Sequence, residues 1–286
     1  MSKKRSPLRL IGIGALVVAA ASCSTSGAGD SPRSAQSPSS AVASETSGPA
    51  LSLVVIGDSI PYNSPEDCPG CTGFVDLYAR ALARATGREV EVSNLSEHSG
   101  LTLPELMDEL QSLEEPVTAA DAIIVGIAHN SFELNNDEQC GTVFDEAAST
   151  LQDWSKVTPR CAASSVAKYG PQYDELFATV ASWREGRPTL LRAIDKYNDW
   201  NGWQDAHLTP DQERRTVFMH DAWNTMLCQS AEEHGFGCAD IYHAFNGPDG
   251  TKPSGDLLAA DYTHPSDQGN ARIARALVAQ GFAPLV

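Results

Sequence analysis

The chain has 286 residues, 42% of them hydrophobic, enough to bury the core of one α/β domain with accessory segments. Its 37 acidic residues outnumber 20 Lys and Arg, giving a formal net charge of −17. That balance excludes a nucleic-acid partner, because phosphate binding needs clustered positive charge.

The N-terminus reads as an export signal. Lys3, Lys4, Arg5 and Arg9 precede a short apolar run over residues 10–21, which ends in Ala20-Ala21-Ser22-Cys23. A positive start, a brief apolar middle and small residues describe a cleaved signal and not a membrane span. Small residues directly before a Cys resemble the bacterial lipoprotein signal, in which the Cys becomes the lipidated first residue. Residues 1–22 are therefore expected to be the signal and Cys23 the lipidation site. The protein would then meet the membrane only through that anchor, on the outer face of the cell membrane; ordinary cleavage and secretion is the alternative. Residues 23–49 are rich in Ser, Ala, Gly and Pro and nearly free of large apolar residues, a composition that stays a flexible tether.

The folded domain is expected over residues 50–286. Leu51-Ser52-Leu53-Val54-Val55-Ile56 is an apolar, β-branched run that stops at Gly57-Asp58-Ser59, which reads as a buried parallel strand ending in a sharp turn. A Pro- and Gly-rich loop covers residues 61–73. Residues 74–86 have helical spacing and end at Gly87; residues 88–95 alternate as a strand. Thr102 and Glu105 form a capping-box signature opening the next helix, and residues 122–127 are a third apolar strand. Strand and helix alternate, so the fold class is α/β: a central parallel sheet between two helical layers. Residues 131–216 show no strong strand pattern. Stretches 145–157, 173–183 and 190–200 look helical, so a mostly helical insertion is expected here. It carries four of the five tryptophans, which read as core, with the lining of a substrate groove as the alternative. A long amphipathic helix over 216–234, a short strand at 239–242 and a closing helix over 268–280 complete the reading.

Apart from Cys23 there are six cysteines: Cys68, Cys71, Cys140, Cys161, Cys228 and Cys238. An even number in an exported chain implies disulfides; of fifteen possible pairings, proximity favours the three sequence neighbours. Cys68-Pro69-Gly70-Cys71 has the spacing of a redox or metal half-site too, but no second Cys pair with metal spacing accompanies it.

Four separated pieces follow strands or lie in loops: Gly57-Asp58-Ser59, Ser99-Gly100, His129-Asn130 and Asp261-Tyr262-Thr263-His264. Loops that follow parallel strands gather at one sheet edge. The set suits acyl transfer. A serine hydroxyl needs an adjacent base, which His264 supplies; Asp261 fixes the ring tautomer. The N–H groups of Ser59 and Gly100 and the amide of Asn130 would form the oxyanion hole. His98 and His129 are expected near the cleft as shaping residues.

In order and spacing these pieces resemble the SGNH/GDSL hydrolase family. Gly57-Asp58-Ser59 matches the first block, residues 94–102 the second, Val125-Gly126-Ile127-Ala128-His129-Asn130 the third, and Asp261-Tyr262-Thr263-His264-Pro265 the last. The resemblance implies a flavodoxin-like three-layer architecture and a serine esterase acting on carboxylic esters, small or polymer-borne, such as an envelope or extracellular acylated glycan or a lipid. No metal or organic cofactor is implied. The second block carries a longer turn, with Glu97 and His98. Two positions of the third depart from the family pattern: Ala128 replaces glycine and Ser131 replaces aspartate. These motivate the rival reading, a non-catalytic glycan- or lipid-binding lipoprotein on a degenerate hydrolase scaffold.

Overall fold

The apolar run at residue 51 forms β1 (Leu51–Gly57), and the carboxyl end of that strand sets the position of everything that follows. A one-turn helix α1 (Ser59–Tyr62), a loop and α2 (Phe74–Thr86) lead to β2 (Val90–Asn94). α3 (Leu103–Glu109), a 3₁₀ turn and α4 (Glu114–Ala119) return the chain to β3 (Ala122–Gly126). Strands β4 (Phe144–Asp145) and β5 (Thr150–Leu151) make a small antiparallel hairpin. Then come α5 (Pro159–Ser182), β6 (Leu190–Ile194), α6 (Pro210–Glu233), β7 (Gly237–Ala239), α7 (Ile241–Asn246) and α8 (Asp267–Ala279). This computed structural model describes residues 48–132, 140–145, 147–148, 150–202 and 208–286; the expected signal, Cys23, most of the tether and Trp203 lie outside the described residues.

The sheet order is β2-β1-β3-β6-β7 and every pairing is parallel. That is the flavodoxin-like order, whose chain reverses direction between β1 and β3 and opens a crevice at their carboxyl ends. Alternation along β1 divides the core. Leu53 and Val55 pack beneath α2 and α8; Val54 and Ile56 face α3, α5 and α6. Gly57 stands in register with Gly126, and a Cβ on Gly57 would lie 2.1 Å from the Gly126 carbonyl oxygen. Only glycine allows the two strands to end side by side.

Three expectations are corrected. Residues 190–200 do not form a helix: β6 is a central strand of the sheet, followed by a buried irregular segment. The polar run Asp195-Lys196-Tyr197-Asn198-Asp199 is buried, and two asparagines serve its backbone. Asn224 accepts from the Lys196 N–H at 3.0 Å and donates to its carbonyl at 2.8 Å; Asn246 does the same for Asn198 at 2.8 and 3.0 Å. The described residues of 145–157 belong to the hairpin and a 3₁₀ turn, because Asp145 and Asp153 bond nearby N–H groups and compete with helix formation. The chain leaves β7 at Ala239, and Asp240 caps a helix where a longer strand was expected.

The disulfides join sequence neighbours, Cys68–Cys71, Cys140–Cys161 and Cys228–Cys238, with Cα separations of 5.5, 5.0 and 5.4 Å. Trp200 and Trp223 are core residues; Trp223 packs against Phe132, Tyr169 and Tyr173. Among the described residues no helix is long and apolar enough to cross a membrane.

Candidate active site

Ser59 is the first residue of α1, immediately beyond β1, and is 8% exposed. Asp58 caps this helix, and its carboxylate does more than cap. Oδ1 accepts from Ile60 N, and Oδ2 accepts from Ala128 N and His129 N, each at 3.0 Å. One buried side chain thus clamps the exit of β1 to the exit of β3. Burial pushes its carboxyl up, while the three N–H groups and the charge of Lys196 pull against that. Three donors and no acceptor face it, so the ionised form is the one the geometry serves.

His264 arrives from the other end of the chain. Its Nε2 lies 2.9 Å from Ser59 Oγ and its Nδ1 lies 2.6 Å from Asp261 Oδ2. Asp261 Oδ1 accepts from the N–H groups of Thr263 and His264, both at 3.0 Å. The tight turn places Tyr262 at φ 59°, a conformation that costs free energy and persists only where surroundings impose it. Tyr197 supplies part of that restraint by donating its hydroxyl to the Thr263 carbonyl at 2.6 Å. Burial lowers the affinity of His264 for a proton, but the hydrogen bond and charge of Asp261, with Asp67 and Asp58 behind, outweigh it and leave the imidazole raised. Asp261 is partly buried, which pushes its carboxyl up; its hydrogen bonds from His264 and the two N–H groups prevail and hold it low.

The remaining loops converge on the same edge. Gly100 is exposed with φ +84°, a conformation that favours glycine. Asn130 donates one amide hydrogen to the Leu101 carbonyl at 3.0 Å, and Ser131 Oγ accepts from Leu103 N at 2.6 Å. Ser131, one of the departures from the family pattern, is therefore a tie between this loop and the first turn of α3. Tyr173 donates to the Ile127 carbonyl at 2.5 Å. His129 and His98, expected as shaping residues, part company. His129 is 5% exposed, packs on Tyr197 and is pushed well below the usual histidine range, first by burial and then by Lys196, His264 and His220. His98 bonds Asp67 and stacks on Tyr62, its ring centroid 6.3 Å from that of His264.

Two residues were not singled out from the sequence. Asp58 was seen only as part of a tripeptide; no spacing rule shows that its carboxylate reaches the third loop. Asp67 immediately precedes the small loop closed by Cys68–Cys71, with its Oδ2 3.4 Å from His264 Nε2 and 3.0 Å from His98 Nε2. Asp67, Asp261 and His264 are also the set, among the described residues, whose ligand atoms lie within 4.8 Å of one another. Both ring nitrogens of His264 already carry hydrogen bonds, so a cation held by all three would have to displace Ser59 or Asp261.

A five-stranded parallel sheet between helices, with a serine, a histidine and an aspartate meeting at the carboxyl ends of its strands, defines an α/β hydrolase-like protein. The chain belongs to the GDSL-like lipase/acylhydrolase family, whose family model matches residues 55–272, and is thus an ester hydrolase. The fold is shared with a lipase from a goat rumen metagenome (TM-score 0.60, 18% identity, 83% of this chain and 100% of that one covered). An acetyl xylan esterase from Geobacillus stearothermophilus (0.52, 21%, 82% and 96%) and an extracellular lipase from Streptomyces rimosus (0.54, 17%, 81% and 99%) are similar too. No curated protein matches the chain by sequence.

Proposed function

We propose that the protein is a serine esterase working through an acyl-enzyme, with Ser59 as nucleophile, His264 as general base and acid, and Asp261 as the group that orients it. The observation that carries this reading is the His264 ring, bonded to Ser59 Oγ at 2.9 Å on one nitrogen and to Asp261 at 2.6 Å on the other. With Nδ1–H donated to Asp261, Nε2 accepts the serine hydroxyl. Ser59 Oγ attacks the ester carbonyl carbon and its proton passes to Nε2. The bond from that carbon to the alcohol oxygen then breaks, and Nε2 returns the proton to the departing alcohol. Water repeats the sequence, releasing the acid and restoring Ser59. The developing oxyanion is assigned to the N–H groups of Ser59 and Gly100 and the second amide hydrogen of Asn130.

The substrate is read as an acylated glycan or lipid ester of the envelope or its surroundings. The proposed setting is a domain over residues 50–286 held by a tether on a lipidated Cys23 after loss of residues 1–22. Loss of palmitate incorporation in Cys23→Ala checks the anchor; label retained in that variant sinks it. Ser59→Ala tests the chemistry. It should abolish hydrolysis of p-nitrophenyl acetate and labelling by a fluorophosphonate while the far-UV circular dichroism is unchanged. Undiminished turnover in the variant removes Ser59 as nucleophile, and absence of labelling in the folded wild type favours the non-catalytic binder.

A further inference from the structure

The catalytic histidine faces two carboxylates. Asp261 holds Nδ1, and Asp67 Oδ2 stands 3.4 Å from Nε2, on the side where chemistry must occur. The Asp67 side chain is only 15% exposed and is fixed from several directions. Its own N–H donates to the Ser64 carbonyl at 3.1 Å, the adjacent Cys68 is in a disulfide, and the loop ends on α8 through Thr72 N to Asp267 and Phe74 N to Asn270. Outward, Asp67 accepts from His98 Nε2, at 3.1 Å on Oδ1 and 3.0 Å on Oδ2. The His98 ring in turn stacks on Tyr62, with centroids 5.5 Å apart, and Tyr62 is 46% exposed.

A bare Nε2 gains nothing from a carboxylate beside it; the protonated form does. The reaction also brings a third group to this spot. To receive its proton, the alcohol oxygen leaving the ester must approach Nε2, so the carbon next to that oxygen comes up against Asp67. An ionised carboxylate only accepts hydrogen bonds, and His98 takes up just its outer side. What suits the remaining lone pairs is a hydrogen-bond donor on the next carbon of the alcohol, one bond beyond the carbon that bears the scissile oxygen. The exposed ring of Tyr62 beside it offers a flat apolar surface to the rest of the alcohol.

Resting on the serine esterase reading, we propose that Asp67, positioned by His98 and flanked by Tyr62, is the alcohol-side subsite, and that it selects esters of polyols: alcohols carrying a second hydroxyl next to the acylated one, as sugars and glycerol do. Asp67 is then a specificity-determining residue. It takes no part in the covalent steps, which stay as written above: the acyl carbon passes from alcohol oxygen to Ser59 Oγ, and the proton from His264 to the alcohol.

The test uses two esters of one acid and nearly one size, 2-hydroxyethyl butyrate and propyl butyrate, hydrolysed by the purified chain. The wild type should prefer the hydroxyl-bearing ester by about tenfold or more in kcat/KM, the worth of a hydrogen bond to a charged group. In Asp67→Asn the preference should fall to within about threefold of unity, and glycerol monobutyrate and mono-acetylated glucose should follow the hydroxyethyl ester, as two sources of one chemistry. A wild-type ratio near one overturns the proposal without any variant. So does an Asp67→Asn enzyme that loses both esters equally, which would make Asp67 a partner of His264 alone. Failure of the esterase reading looks different: neither ester would be turned over in a Ser59-dependent way.

Discussion

Asp58→Asn is the substitution whose cost the structure lets one work out. An asparagine has the same shape but one acceptor oxygen and one NH₂ where aspartate has two acceptors. Three N–H groups point at Asp58, two at Oδ2 and one at Oδ1. The better orientation keeps the oxygen on Ala128 and His129 and turns the NH₂ toward Ile60 N, setting two buried donors against each other at a cost of about 1–3 kcal/mol. The two retained bonds lose their charge assistance, roughly 1 kcal/mol each. Relief of burying a charge returns part of this, since burial already pushes the carboxyl of Asp58 up. The net expectation is a destabilisation of about 2–4 kcal/mol, or a fall in Tm of about 5–12 °C for a domain of this size. Calorimetry or a dye-monitored melt of wild type and variant measures it, with kcat on p-nitrophenyl acetate followed in parallel, because the same clamp sets Ser59 against the third loop. A Tm within about 2 °C of wild type and an unaltered kcat would refute the clamp.

In the proposed mechanism the free base of His264 takes the serine proton; its pKa lies above the usual 6.5, so kcat/KM should rise with pH through a limb placed above that value. The groups facing the ring are Asp261, Asp67 and Asp58, with His98 6.3 Å away. Asp261→Asn removes the largest raising influence, so the limb should move to lower pH as kcat drops; a limb that stays put removes Asp261 from the role. Asn130→Ala should lower kcat on p-nitrophenyl acetate by about 10²–10³, the usual loss for one oxyanion donor, with KM little changed. A kcat within twofold of wild type takes Asn130 out of the oxyanion hole.

What was legible in the sequence is what local rules govern. The strand at Leu51, the helix Phe74–Thr86 closed by Gly87, and the capping box of Thr102 and Glu105 all follow from period, caps and turn residues, and the structure has each of them. The meeting of Ser59, Asp261 and His264 was legible because parallel topology sends loops after strands to one edge. The stretch 190–200 was not. β6 has five residues, too few to separate strand from helix by periodicity, and the polar segment after it is buried only because Asn224 and Asn246, 28 and 48 residues further along, stand in for a strand partner. Asp67 was hidden for the same reason: a loop rich in Pro, Gly and Asp reads as surface until its partner at residue 264 is in place.

The supposed insertion therefore holds two loops of the candidate site. Tyr173 on α5 holds the Ile127 carbonyl, and Tyr197 beyond β6 holds the Thr263 carbonyl. Each is fully buried and each grips the backbone of a different loop of the candidate site. Tyr197 is itself wedged between Phe245, stacked at 4.4 Å, and His129 at 4.8 Å. The strained turn at Tyr262 needs such a restraint, since a carboxylate and an imidazole three residues apart on a free loop would sample many arrangements. Burying the Tyr197 phenol with its hydroxyl on the Thr263 carbonyl fixes that turn from the core side. Of the described tryptophans in residues 131–216, Trp200 is buried and Trp154 and Trp183 pack partly buried against the core, while exposed aromatic surface beside His98 comes from Tyr62.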